Sequence, residues 1–307
     1  MRAALHYGGS ALALFLLFHF LPAERVLHTL EKLPARLWLF ILAGYLATHC
    51  IGVSKWRLMV NLGGARLNVR QAAQCYFAGL FGSLFLPSLI GGDIVRAALA
   101  LRLGRSKAGV LLGCFLDRIV DLAALATLAG AGTLLIPGAL GPSSRSIFLW
   151  LGAATVAAIA LAGAVVAMIP VRRLSYRVRR WLVSLRHAGR SIAQRPRSVL
   201  GALSLAIVAQ LAFIGLSIAL AEACGLHLPF RAWLFAWPLA KLSAAIPVTQ
   251  GGIGVREAAL AALLAPFGAP PVLTVAAGLA WEAVVITGAL LGGLFSLVAR
   301  NSSRVAP

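Results

Sequence analysis

Acidic residues are scarce. Eight Asp and Glu stand among 307 residues, and charged residues of both signs make up only 12% of the chain. A soluble domain carries roughly a quarter charged residues, so an ordinary soluble globular protein is excluded. Cysteine is rare as well. Cys50, Cys75, Cys114 and Cys224 form no CxxC pair and fall in or beside apolar segments, which reads as buried free thiols. No HExxH metal motif, GxSxG nucleophile turn or nucleotide-binding loop occurs. Ile90-Gly91-Gly92-Asp93 lacks the first glycine of the Gly-x-Gly-Asp pattern of intramembrane aspartyl proteases, and no Tyr-Asp pair occurs elsewhere. No enzyme activity, catalytic residue, metal or cofactor is therefore expected. The ~10-residue alternation of membrane-barrel strands is missing too.

What is abundant is apolar sequence, 61% of the chain. A membrane helix needs about 20 mainly apolar residues, and only helices or closed barrels satisfy the backbone in lipid. Six runs have that length: about 3–21, 36–53, 107–136, 147–169, 199–221 and 272–298. The first has no small-x-small cleavage site after it and reads as a retained helix. Two further runs are interrupted. Gln71–Leu101 holds Pro87 and Gly91-Gly92-Asp93, and Ala232–Ala265 holds Pro238, Pro247 and Gly251-Gly252. Proline and paired glycine break helices, and broken backbone at membrane depth is tolerated where it is buried in protein or lines a cavity. The expectation is an all-α polytopic membrane protein with about six full spans and two re-entrant helical hairpins, forming one membrane domain over residues 1–307.

The formal charge of +20 comes from 28 Lys and Arg. These cluster between apolar runs: Lys55, Arg57, Arg66 and Arg70 in an expected 54–70 loop, then Arg102, Arg105 and Lys107, and nine arginines in 171–197. Basic residues concentrate on the cytoplasmic side and attract anionic headgroups, so nucleic acid is not the expected partner. Both termini are expected in the cytoplasm of a multi-pass chain. Val171, Leu174, Val178, Leu182 and Leu185 recur at helical spacing among the arginines, the pattern of an amphipathic interfacial helix or of a basic loop that only fixes orientation.

The interrupted runs resemble each other. Residues 87–98 and 247–258 both read P-x-x-x-G-G-x-x-V-R-x-A, 160 residues apart. The offset carries 36–53 onto the start of 199–221, and 107–136 onto 272–298. A first unit is thus expected at about 36–136, a connecting span and basic helix at about 147–197, and a second unit at about 198–298. The loop charges give the units opposite orientations, an inverted repeat of the kind used by transporters.

Six acids lie in or beside apolar sequence: Asp93, Asp117, Asp121, Glu222, Glu257 and Glu282, together with Arg96, Arg118, Lys241 and Arg256. A charge at the bilayer centre costs at least ~2.5–3.5 kcal/mol and is a functional candidate by default. Asp117 and Glu282 fall about ten residues into their runs, ~15 Å deep at 1.5 Å per residue. Arg96 and Arg256 follow Gly91-Gly92 and Gly251-Gly252 by four residues, in the expected first turn of a returning half-helix, where free N–H groups favour anions. These arginines and glycines are the candidate phosphate-headgroup site. Asp93, Asp117, Arg118, Asp121, Glu257 and Glu282 are candidates for charge balance or proton coupling, with a structural role for Asp93 and Glu257 beside the hairpin turns. The alternative is that all are static salt bridges locking the hairpins.

Pro-x-x-x-Gly-Gly-Asp-x-x-Arg at 87–96, Asp-Arg-x-x-Asp at 117–121 and Gly-Gly-x-Gly-x-Arg-Glu at 251–257, in this order, resemble the lysylphosphatidylglycerol synthase transmembrane-region family, also called flippase-like. The resemblance covers nearly the whole chain and implies a protein of the bacterial plasma (inner) membrane. In full-length synthases this region is a lipid flippase followed by a soluble aminoacyltransferase domain. The present sequence ends at Pro307, after its last span, and is not expected to make lysyl-lipid itself. Members that stand alone are linked to several lipid classes, including polyprenyl-phosphate glycolipids and hopanoids. The expected partners are thus membrane lipids with an anionic or phosphate headgroup. A scaffold that anchors a separate lipid-modifying enzyme or glycosyltransferase is the competing reading.

Overall fold

Hydropathy sets where the helices run, and charge pairing sets where several of them end. The computed structural model describes residues 33–85, 91–136, 176–243 and 254–302. The expected spans at 3–21 and 147–169, and Pro87, Pro247, Gly251 and Gly252, lie outside the described residues. Within them the chain is helical, with no strand. In order come α1 (Ala35–Leu62), α2 (Val69–Gly82), α3 (Gly91–Leu103), α4 (Lys107–Leu134), α5 (Tyr176–Ala193), α6 (Pro196–Ala223), α7 (Phe230–Ser243), α8 (Val255–Leu264), a 3₁₀ turn at Ala265–Phe267, and α9 (Pro271–Ser302).

Helices α1, α6 and the Pro271–Ala299 part of α9 are long and apolar enough to cross a membrane. Only a third of each apolar window is buried within the protein. The remaining surface carries large apolar side chains such as Phe40, Val208, Leu294 and Val298. A soluble monomer rarely exposes contiguous apolar patches beyond a few hundred Å², so these faces suit lipid. Helix α4 matches α1 and α6 at 28 residues, about 42 Å by helical rise, but carries Lys107, Asp117, Arg118 and Asp121. Helices α2 and α7 have 14 residues, α3 has 13 and α8 has 10. At ~1.5 Å per residue none crosses a ~30 Å hydrocarbon core alone.

The two stretches match in local geometry. The connections 63–68 and 224–229 each hold a glycine in the left-handed region, Gly64 (φ 92°) and Gly225 (φ 86°). After each glycine a buried residue, Ala65 or Leu226, donates its N–H five residues back, to Val60 O at 3.1 Å and Ala221 O at 2.9 Å. Ala35 and Pro196, Gly64 and Gly225, and Val69 and Phe230 all stand 161 residues apart. The expected constant offset of 160 therefore needs correction: it holds at the glycine-pair motif, and α4 and α9 begin 164 residues apart, at Lys107 and Pro271. The connections that follow α3 and α8 differ in length, 104–106 against 265–270, which an ungapped reading cannot accommodate.

Packing crosses between the stretches. Helix α1 lies along α6, α2 packs on α9, and α7 packs on α4. Glycines set the closest approaches. A Cβ on Gly109 would meet the Gly63 backbone, and one on Gly113 the Val60 backbone. Gly92 faces the Gly79 carbonyl in the same way. The Gly91-Gly92 pair thus opens α3, on the far side of the break that separates it from α2, and Gly92 serves close packing there. Helix α5 extends from Tyr176, with Leu182, Ala188 and Ile192 buried and Arg179, Arg180 and Arg190 exposed, as the amphipathic reading expected. Val171 and Leu174 lie outside the described residues.

Gly113→Leu forces its side chain into the α1 backbone and is expected to cost about 1–3 kcal/mol, several degrees of melting temperature in detergent. Gly130→Leu, nearly five turns on in α4 and facing open space, should change stability by less than ~0.5 kcal/mol. Fluorescence-detected thermal melts of the two variants make the comparison.

Candidate functional site

A membrane helix that carries Asp117, wholly buried at the middle of α4, needs cations brought to it. Two arrive. Lys55 from α1 lies 2.9 Å from Asp117 Oδ1, an ion-pair distance without hydrogen-bond alignment, and 2.5 Å from Asp121 Oδ1. Arg96 from α3 reaches Asp117 Oδ2 at 3.1 Å and Asp93 Oδ1 at 2.8 Å. Arg118 completes the cluster by donating to Asp93. The Arg96 guanidinium also lies 5.1 Å from the Trp56 ring centre and 5.3 Å from that of Tyr76, a cation–π seat.

A second cluster forms on the other hairpin. Arg256 of α8 donates to Glu257 Oε1 at 2.6 Å and to Glu282 Oε2 of α9 at 2.8 Å. Glu257 is buried and turns back to accept from the Gly254 N–H at 2.7 Å. Gly254 has φ 85°, so glycine is required there. Each cluster ties a short hairpin helix to the long helix after it, α3 to α4 and α8 to α9. Removing one member of such a buried pair strands the other charge and costs about 3–5 kcal/mol.

Between the clusters lies a cavity of about 570 Å³. Gly92, Asp93, Arg96, Arg118 and Asp121 line one side, and Arg256 and Glu282 another. Tyr45, His49, Phe213, Trp237 and Trp281 make an aromatic wall, with Trp237 and Trp281 in edge contact at 5.2 Å. Lys55 and Lys241 also face it. A space this size, with an apolar lining and a few convergent polar groups, is of the kind that holds small ligands or headgroups. Among the described residues no cluster of three His, Cys, Asp or Glu could hold a metal ion.

The predicted residues are therefore largely brought together. Asp93, Arg96, Asp117, Arg118 and Asp121 form one cluster, and Arg256, Glu257 and Glu282 the other. Three expectations change. Arg96 stands in the second turn of α3, since the glycine pair is helical, whereas Arg256 is in the first turn of α8. Lys55 and Arg57 belong to α1, which runs to Leu62, so the expected 54–70 loop shrinks to 63–68. Its lysine stays in the helix because two aspartates neutralise it. Glu222 is exposed at the end of α6, away from both clusters. Lys55 went unrecognised because it sits at an apolar run's edge. The surplus of acids on one face of α4 was the signal that a cation had to come from elsewhere. Tyr45, His49, Gln210, Trp237 and Trp281 carry no motif.

Lys55→Met should destabilise the protein by about 3–5 kcal/mol, and adding Asp121→Asn should recover a large part of the loss. Thermal melts of the single and double variants test this; no recovery would mean that the pair is not coupled.

No curated protein and no solved structure matches the chain. The profile of one family does, over residues 3–293. The buried charges and hairpins just described fall within that match, and the chain belongs to the lysylphosphatidylglycerol synthase TM region family.

Proposed function

We propose that this protein moves a lipid with an anionic or phosphate-bearing headgroup between membrane leaflets. The observation that carries the reading is the charged, aromatic-walled cavity between the two hairpins of a membrane protein. A polar chamber flanked by exposed apolar helix faces suits a molecule with a charged head and an apolar tail. Family membership supports a membrane lipid-related role. Phospholipids, polyprenyl-phosphate glycolipids and hopanoid-type lipids all fit a chamber of this chemistry.

Matched helix lengths, matched turns and crossed packing support an inverted duplication, with units of about 36–136 and 198–298. In this reading the hairpins are re-entrant and are the moving parts. Arg96 and Arg256 meet the headgroup by exchanging a partly exposed carboxylate, Asp93 or Glu282, for a phosphate oxygen. Backbone N–H groups at Gly91, Gly92, Gly251 and Gly252 assist, while Asp117, Arg118, Asp121 and Glu257 keep the charge balanced. The orientation rule puts the basic 63–70, 102–107 and 176–197 stretches, and both termini, in the cytoplasm of a bacterial inner membrane. No chemistry on the lipid is part of the proposal. The exposed arginines of α5 support a second reading, a scaffold that docks a separate lipid-modifying enzyme or glycosyltransferase.

Reconstituted liposomes with a head-labelled phospholipid test the proposal. Wild type should move lipid. Arg256→Gln/Glu257→Gln/Glu282→Gln, which removes the cation together with both of its carboxylates, should fold yet lose at least about tenfold in rate, the equivalent of one charge-assisted hydrogen bond. A wild-type protein that moves no lipid would favour the scaffold.

A further inference from the structure

Among the described residues, the ion pairs leave the cavity with one cation that has no carboxylate partner. In the first cluster three cations, Lys55, Arg96 and Arg118, face three carboxylates, Asp93, Asp117 and Asp121. In the second, Arg256 alone faces Glu257 and Glu282. The first wall is neutral and the second is negative, so neither attracts an anion as it stands. Lys241 differs. No carboxylate among the described residues lies within 4.0 Å of its ammonium, which donates to the neutral Gln210 Oε1 at 3.0 Å and lies 5.0 Å from the Phe213 ring centre. An ammonium in such a place keeps its attraction for an incoming anion.

Its hydrogen-bond acceptor among the described residues is the Gln210 amide oxygen. Trp237 is one helical turn before Lys241, on the same face of α7, and its buried Nε1–H has no partner. His49 packs on the same Phe213 ring, at 5.3 Å. Its Nδ1 lies 3.2 Å from the Tyr76 hydroxyl, and its buried Nε2 has no partner. Lys241, Trp237 and His49 thus line one cavity, in which Lys241 has the Gln210 oxygen and the Trp237 indole N–H has no acceptor. Buried donors are rarely left unpaired in native proteins.

We infer that Lys241 is the docking point for the ligand's oxyanion, a phosphate monoester or diester, in this conformation. The two arginines hold the hairpins until a carboxylate is exchanged. The inference rests on the lipid-transport reading only for the source of that anion.

The test uses purified wild type, Lys241→Met and Lys241→Arg in non-ionic detergent, with two probes. Lys241→Met leaves Asp121 its Lys55 partner and strands only the neutral Gln210 Oε1, so it should melt within a few degrees of wild type. Glycerol phosphate at saturation should raise the melting temperature of wild type and Lys241→Arg by about 5 °C and leave Lys241→Met unmoved. Native mass spectrometry should find a phosphate-bearing lipid on wild type, reduced about tenfold in Lys241→Met, the loss of one charge-assisted contact. A wild-type-sized response of Lys241→Met to either probe overturns the assignment, and so does a wild type that responds to neither. A shift with glycerol phosphate but no retained lipid upholds the site and makes a soluble phosphate its ligand, which would sink the lipid reading alone.

Discussion

Asp117 is the charge on which the architecture turns. It is wholly buried, and an isolated carboxylate there is not tolerated. Lys55 must come from α1 and Arg96 from α3, so three elements distant in sequence are fixed by one side chain. Trp56 and Tyr76 then pack around the arginine, and the glycines at 63, 109 and 113 let α1 and α4 approach closely enough for Lys55 to reach. Apolar packing alone does not set register among membrane helices, because lipid tails are as apolar as leucine. Small residues and buried ion pairs do.

The second cluster solves the same problem differently. Glu257 sits next to Arg256 in sequence and bonds the Gly254 N–H, so its pairing is mostly local. Glu282 then ties that local unit to α9. One wall is thus made by long-range pairing and is electrically balanced, while the other is local and carries an extra carboxylate. That asymmetry lies within two stretches whose helices and turns match closely. It gives the cavity a direction, with Lys241 of α7 the cation that has no carboxylate partner among the described residues.

How much of this could be read in advance depended on periodicity and cost. Apolar runs of membrane length announce helices, and the glycine-pair motifs with their arginines announced the two hairpins. Buried acids and arginines stood out because charge in apolar sequence is expensive. Lys55 escaped since a charge at the edge of a run looks like the water boundary, and only its partners on α4 say otherwise. The glycine pair at 91–92 was legible as special, but its close contact with α2 was not, because a pair that starts a helix and a pair that admits a neighbour leave the same trace in a sequence. His49, Gln210 and Trp237 gave no trace, because their significance lies in which other side chains they meet.

The sequence by itself determined the membrane class, the helical content, the hairpin sites and nearly every charged residue of the clusters. These follow from hydropathy and from the energetic cost of each charge, both properties of a residue and its near neighbours. Tertiary structure decided which charge pairs with which, where α1 ends, and which cation is left over. Those depend on distances between helices far apart in the chain, and no local pattern records them.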